Sequence, residues 1–584
     1  MNRWWKECAM SQAEAAWVLG ITIFLPFPFA PLAALSGNTA RSRRLVAILY
    51  GALTLGFNLA LLSAFLTAKG QVSVGSISLN RFNYPPFLVL NLVAVAGMFY
   101  AGFRRASLPR RALVAATLPV ATGLAALAFL AKGLVAFALL WEGVTAVVLI
   151  GLILHGAGGV RKRLRGFLPW LLSDALFILG VALCAIWLDE RAVFIRPPLT
   201  SGSEAQVSIV VALFLASAFI RLGVFPFHFW VRDLLRRTDP AWSALVLGAV
   251  NYLMVGLRVL VVASLLGSLV ASDWSTAIVA FGLVSVLAGP LLALFARDVP
   301  GYLSGMYAFQ GGILVMGAGL FSRAGLEGAM FSLLVAPIFM MSAIMASGTA
   351  DDLRGSSDLN RRGLSVGLAP AAFVVLLLSG MSLCGLPPLD GFVGKTIVAM
   401  GALDKAVARP DYAFASFLIL AGIALASVAF VRLLGGVFTV GKGAAGVDHP
   451  AHGESLAPVA LCGASLLLGV FPGLLLSNFI QDGSLVLFKK GFTGPGVVFK
   501  GTGSAAAQAI HSYVSWSQPV AAFIFAVCLL ALCLYFAGRS VHPFSGPGDR
   551  ALPFVGGRPG EYRPAPVIEI PLRDAFARWR GVGR

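Results

Sequence analysis

From residue 15 to residue 537 the chain repeatedly runs through about 20 mostly apolar residues and then meets an arginine cluster or a Gly, Pro or Ser break. A helix of about 20 residues crosses the hydrocarbon core of a bilayer, so each run reads as a membrane span. The runs are 15–37, 45–67, 84–103, 112–131, 133–155, 166–187, 206–228, 241–266, 274–296, 301–321, 326–348, 366–404, 411–437, 456–480 and 516–537. Only 12% of the residues are charged and 58% are hydrophobic, whereas soluble domains carry about 25% charged residues. A soluble chain is excluded, and no polar stretch is long enough to form a soluble catalytic domain.

Two spans differ from the rest. The seventh carries Gly223-Val224-Phe225-Pro226 and the twelfth carries Gly385-Leu386-Pro387-Pro388. Proline removes a backbone donor and clashes with the preceding turn, so both helices should be interrupted. Interruptions at membrane depth are tolerated where protein or a water-filled cavity satisfies the freed groups. Two of them at corresponding places point to an inverted-repeat transporter. The expected fold is an all-α polytopic membrane protein of about 14–16 transmembrane helices, with two inverted five-helix repeats, spans 4–8 and 9–13, broken in spans 7 and 12. Residues 1–110 then hold three N-terminal spans, 111–266 the first repeat and 267–440 the second. Residues 441–584 hold the C-terminal helices, an interfacial segment and a basic tail.

A net charge of +19 fits arginines facing the cytoplasm better than a nucleic-acid partner. The basic residues concentrate in the loops after odd-numbered spans, which puts the N-terminus outside and the tail from Arg539 inside a bacterial inner membrane. Cys8, Cys184, Cys384, Cys462, Cys528 and Cys533 form no CxxC pair and no cluster of metal-ligand spacing, so no metal or cofactor is expected. The N-terminus lacks the short apolar region and small-residue site of a cleavable signal. The Gly-rich segment 483–514 reads as interfacial, and its Gly501–Ala506 GxGxxA pattern lacks the strand context of a nucleotide site.

Ionisable residues within spans are costly, and their default reading is functional. Glu142 lies ten residues past Lys132, about 15 Å in from the membrane edge. Asp174 sits in span 6, Arg221 just before the break in span 7, Asp390 at the break in span 12, and Lys395 just after it. A buried carboxylate costs least when it faces a cation, and the expected pair is Glu142 with Arg221, with Asp174 as a second acid nearby. Such a group can relay protons, or it can be a static salt bridge pinning three helices; both readings stand. His228, beside the break in span 7, can shuttle protons or cap freed carbonyls.

Phe225-Pro226-Phe227-His228-Phe229-Trp230-Val231-Arg232-Asp233, followed by Asp239-Pro240-Ala241-Trp242-Ser243-Ala244-Leu245, resembles a signature of the antiporter-like membrane subunits. These serve respiratory complex I, energy-converting hydrogenases and multisubunit sodium/proton antiporters. Leu139–Gly143, with its Trp141-Glu142-Gly143, and Ser382–Lys395 are similar to two further motifs of that family, and Tyr302–Gly311 to a weaker one. The resemblance covers about residues 84–440. It implies a proton-translocating subunit of a multisubunit energy-coupling complex, with redox or other chemistry on partner membrane and peripheral subunits. The family's glutamate of the fifth helix falls on Glu142, its acidic residue of the sixth on Asp174, and its lysine of the twelfth on Lys395.

The chain also departs from the family. The lysine of the seventh helix falls on Arg221, and arginine stays charged where lysine can release its proton. Leu247 stands where the family has a histidine, and the polar positions of the eleventh helix read Ser332, Ala336 and Met340. The middle of the polar axis is therefore expected to be apolar and dry. Two alternatives remain. One is a membrane subunit of inorganic carbon uptake beside a zinc carbonic-anhydrase-like partner, and the other is a non-conducting scaffold.

Overall fold

The computed structural model describes residues 12–36, 39–68, 70–104, 111–155, 160–187, 204–269, 271–361, 363–407, 409–439, 453–481 and 483–484. The expected span 516–537, the segment 485–514 and the basic tail lie outside them. The first three spans become α1 (Gln12–Phe24) with α2 (Pro26–Leu35), α3 (Ala40–Thr67) and α4 (Tyr84–Phe103). Next come α5 (Arg111–Leu130), α6 (Leu134–Leu154), α7 (Val160–Trp187), α8 (Glu204–Arg221) and α9 (Phe229–Arg237). The eighth span is α10 (Pro240–Ser243), a π-helix (Ala244–Asn251) and α11 (Tyr252–Leu269). Then follow α12 (Ala271–Leu294), α13 (Val299–Gly319), α14 (Arg323–Arg354), α15 (Pro370–Cys384), α16 (Asp390–Ala406), α17 (Asp411–Val437) and α18 (Leu456–Val470).

Ten of the described helices are long and apolar enough to cross a membrane, or eleven if a bent pair counts as one span. This multi-pass architecture makes the chain a membrane protein. The bent pair gives one expected span its shape. Residues 456–480 are not a straight span, because the chain turns by 86° between Leu456–Val470 and Gly473–Ile480. Pro472 sits in that corner, where it cannot continue the helix hydrogen-bond ladder. Small strands also interrupt the all-helical pattern: Gln71–Val74 pairs antiparallel with Ile77–Asn80, and Leu364–Ser365 pairs parallel with Phe438–Thr439.

Burial separates the helices into two kinds. The most apolar 18-residue stretches of Pro240–Ala263 and Arg323–Arg354 are wholly buried, as suits sequences apolar on every face. Other spans, such as Ala40–Thr67 and Asp411–Val437, bury only one side and leave Leu59, Phe414, Phe417 and Val431 exposed. In lipid, helices associate by close packing, and small residues let the backbones approach. The α12–α13 contact works this way. A Cβ at Gly289 would stand 2.6 Å from the carbonyl oxygen of Gly305, and one at Gly312 would stand 2.8 Å from that of Gly282.

At one end of the helices, four chain segments meet on one cation. Arg104, just past α4, is ion-paired with Asp239 before α10 and with Asp352 near the end of α14. Its Nε is 4.0 Å from Glu454, just before α18, and Glu454 also accepts a hydrogen bond from Thr349 (3.0 Å). The two helix interruptions are alike. Gly223 (φ 62°) follows α8 and Gly385 (φ 90°) follows α15, each in the left-handed conformation that glycine adopts freely.

Candidate functional site

The first charged group is assembled by two serines. Ser173 on α7 and Ser217 on α8 exchange hydrogen bonds with each other's carbonyl oxygens, at 2.9 and 2.6 Å. Asp174 follows Ser173 directly, and Arg221 lies one turn beyond Ser217 on the same face. Zipping α7 to α8 therefore brings acid and base together. Arg221 Nη1 donates to Asp174 Oδ1 at 2.5 Å, with Asp174 3% and Arg221 2% exposed.

Arg221 has further partners. Its Nη2 donates to Thr145 Oγ1 (2.8 Å) on α6, and its Nε donates to Asn251 Oδ1 (3.0 Å), the last residue of the π-helix. Its guanidinium lies over Trp170, 3.8 Å from the ring centroid, and 4.6 Å from that of Trp141. Trp141 in turn donates from Nε1 to Asp174 Oδ1 (2.7 Å). Asn251 Nδ2 donates to the Arg221 carbonyl (2.8 Å) and to Tyr307 Oη (2.9 Å).

This corrects the expected pairing. The arginine is ion-paired with Asp174, not with Glu142. The reason is helical rotation. Trp141 and Thr145 are four residues apart and share the face of α6 that meets Arg221 and Asp174. Glu142 is turned about 100° from Trp141, toward the side where Leu139 and Ile150 are exposed. Glu142 is half-buried, and its Oε1 has no hydrogen-bond partner; Asp174 Oδ2 is likewise unpartnered.

The second charged group surrounds the break between α15 and α16. Asp390 is fully buried at the start of α16. Its Oδ1 accepts from Ser382 Oγ of α15 and Ser465 Oγ of α18, both at 2.5 Å, and from Gly391 N–H at 2.8 Å. Its Oδ2 has no partner. Lys395 is five residues on, about 140° around the helix, so its ammonium turns elsewhere. Nζ donates to the Gly391 carbonyl (3.2 Å), more distantly to that of Ser382 (3.4 Å), and sits 5.3 and 5.7 Å from the rings of Phe309 and Phe339. Distances of this kind are cation–π contacts. His228 makes no side-chain cap for α9; its ring lies beside Phe225, and its carbonyl accepts from Ser304 (2.8 Å).

Beside Tyr307, which Asn251 links to Arg221, the side-chain lining is largely apolar. A narrow cavity there is lined by Val231, Leu235, Leu247, Leu303, Tyr307, Met340, Ile344 and Leu383. Leu247, Ala336 and Met340 are all buried. On the Arg221 side, Asn251 Nδ2 donates to the hydroxyl of Tyr307 (2.9 Å), one of the lining residues. On the Lys395 side, Gln310 Nε2 donates to the Leu383 carbonyl (2.7 Å). Among the described residues no group of three His, Cys, Asp or Glu could hold a metal ion.

Sequence reasoning missed Arg258, which is 1% exposed in the interior of α11. The rule that drew attention to Arg221 applies to it equally. Asn251, Thr145, Ser465 and the Arg104 cluster were also missed, and a polar residue among apolar neighbours was the available signal for the first three.

The chain is 26% identical over 319 residues to one subunit of the Na(+)/H(+) antiporter of Alkalihalophilus pseudofirmus, covering 50% of this chain and 38% of that protein. It is 28% identical over 284 residues to one subunit of the NADH-quinone oxidoreductase of Solidesulfovibrio magneticus, covering 47% of this chain and 56% of that one. The chain thus spans about half the length of these curated relatives. A chain of the membrane-bound sulfane sulfur reductase, an archaeal respiratory membrane complex, has the same fold. Its TM-score is 0.72 at 17% identity, covering 97% of this chain and 92% of that one. The family model described as NADH:quinone oxidoreductase/Mrp antiporter, TM, matches residues 131–424, half of the 584, and the chain belongs to that family of antiporter-like membrane subunits.

Proposed function

We propose that this chain carries protons across a bacterial inner membrane as one subunit of a hetero-oligomeric complex, driven by a reaction on partner subunits. The observation that carries this reading is the burial of two acid-and-cation groups inside the helical bundle of a multi-pass membrane protein, each with a carboxylate oxygen left unpartnered. Groups of this cost are kept in lipid for a purpose. The kinship to subunits of antiporters and of quinone oxidoreductases supports it.

Within this reading the two cations have different tasks. Arg221 keeps its charge, so proton uptake near it falls to Asp174 and Glu142. Lys395 can gain and release a proton, and Asp390, at the start of the same helix, is held by Ser382 and Ser465. The apolar stretch at Leu247 and Met340 separates the groups, which favours loading and release within each half. Coupling then runs through charge, because removing or adding one proton changes the field felt by the other group in a medium of low dielectric.

The test is proton flux into liposomes containing the assembled complex, read by an internal pH dye under an imposed membrane potential. Flux that falls at least tenfold in Glu142→Gln and Lys395→Met, with assembly retained, is expected. Absence of proton flux in the wild-type complex would overturn the reading, as would wild-type flux in both variants.

A further inference from the structure

The proposed proton path leaves one buried charge unused. Among the described residues Arg258 makes one hydrogen bond, from Nη2 to the Phe214 carbonyl (3.0 Å), and its Nε and Nη1 have no partner. No carboxylate is within ion-pair distance of it among the described residues. Its guanidinium instead lies against two rings, 4.8 Å from the centroid of Trp141 and 4.2 Å from that of Phe177. An arginine in this position is expensive, and packing alone does not call for one.

Trp141 gives the arginine a task. The same indole is shared by two guanidinium groups, with Arg221 at 4.6 Å and Arg258 at 4.8 Å. Its Nε1–H points to Asp174 Oδ1 at 2.7 Å, the oxygen that also receives Arg221. Arg258 therefore touches neither acid but holds the ring that does. Asp174 from α7 and Arg221 from α8 act on it electrostatically, and Glu142 from α6 acts on both of those; Tyr307 from α13 completes the set by facing Arg221.

Charge balance points the same way. The group has two acids, Glu142 and Asp174, and two cations that do not give up their protons. It is neutral when both acids are ionised, and every proton taken up adds a positive charge. With Arg221 alone, the fully ionised group would carry an excess negative charge.

We propose that Arg258 is a positioning residue for proton transfer at this site: it fixes Trp141 against Asp174 and supplies the second positive charge that keeps both acids ready to accept a proton. The proposal rests on the proton-translocating reading above. Removing the charge should make the acids take up protons at higher pH. For a charge about 10 Å away in an environment of effective dielectric near 20, the displacement is about one pH unit.

The experiment compares proton flux against pH for the wild-type complex, Arg258→Met and Arg258→Lys in liposomes. The expected result is a half-maximal pH raised by about one unit in Arg258→Met, with reduced flux, and a profile close to wild type in Arg258→Lys. An unshifted profile in Arg258→Met overturns the proposal, as does an equal shift in both variants, which would mark a packing role. If Arg258→Met does not assemble, Arg258→Lys decides alone: an unshifted profile supports the proposal and a shifted one overturns it. A wild-type complex without proton flux would instead bring down the underlying reading, so the two failures are distinguishable.

Discussion

Ser173 and Ser217 hydrogen-bond to each other's backbone carbonyls, and this exchange sets Asp174 against Arg221. The ion pair is therefore a product of helix packing and not of long side chains searching for one another. Arg221 has its remaining donors on Thr145 and Asn251, so the pair is fully enclosed on the arginine side. Arg221→Ala would leave Asp174 buried without a cation and should lower stability by about 3–5 kcal/mol. Arg221→Lys keeps the charge but lacks the planar fork that spans Asp174, Thr145 and Asn251, and should cost less. Thermal unfolding of the detergent-solubilised complex would rank the two; equal stability of Arg221→Ala and wild type would contradict the pairing.

Glu142→Gln should behave in the opposite manner. Glu142 is half-buried, and its Oε1 makes no hydrogen bond, so the neutral isostere removes charge without breaking a contact. Stability should stay within about 0.5 kcal/mol of wild type, while proton flux falls. The informative comparison is with Asp174→Asn, which should lose stability as well as flux because Arg221 loses its counter-ion. Wild-type flux in Glu142→Gln would remove this residue from the path.

How much of this was readable beforehand depends on rotation about helix axes. The order of spans and the two Gly-Pro breaks follow from apolar runs and proline chemistry, and both are local properties of the chain. The choice of Asp174 over Glu142 as partner of Arg221 is not local. It turns on which face of α6 meets α7, and a one-residue change of face exchanges Trp141 for Glu142. The π-helix Ala244–Asn251 has no composition that marks it, yet its last residue, Asn251, is aimed at Arg221. The Arg104 cluster draws on residues 104, 239, 352 and 454, and only tertiary packing brings them together. Arg258 is different, because an arginine within an apolar span is visible in the sequence itself.

Arg104 should be a keystone of stability. Arg104→Ala would strand Asp239, Asp352 and Glu454 near one another without their shared cation. A loss of about 3–5 kcal/mol is expected, and assembly should fall accordingly. Burial already holds the Glu454 carboxyl above its ordinary value of 4.5, against the opposing hydrogen bond from Thr349 and the charge of Arg104. A carboxyl raised on folding gives stability that is full below the unfolded value and lost as pH rises through the folded one. The fold should therefore lose this contribution as pH increases from about 4.5, and Glu454→Gln should abolish that part of the dependence. A melting-temperature profile against pH that is identical in wild type and Glu454→Gln would refute the assignment.

The apolar centre supplies the last expectation. Leu247 and Met340 line the same narrow cavity, with Tyr307 contributing the polar group on its wall. Water persists in a buried cavity when two to four polar partners hold it, and apolar cavities of this size stay dry. Met340→Leu preserves volume and polarity closely, so it should leave proton flux within about twofold of wild type, consistent with a volume-conserving core exchange. If the gap were instead a filled water channel, replacing the thioether beside it would alter flux well beyond that. A high-resolution density map gives an independent check. Ordered water running unbroken from Asn251 past Leu247 and Met340 to Lys395 would show a continuous path and would rule out separate loading in each half.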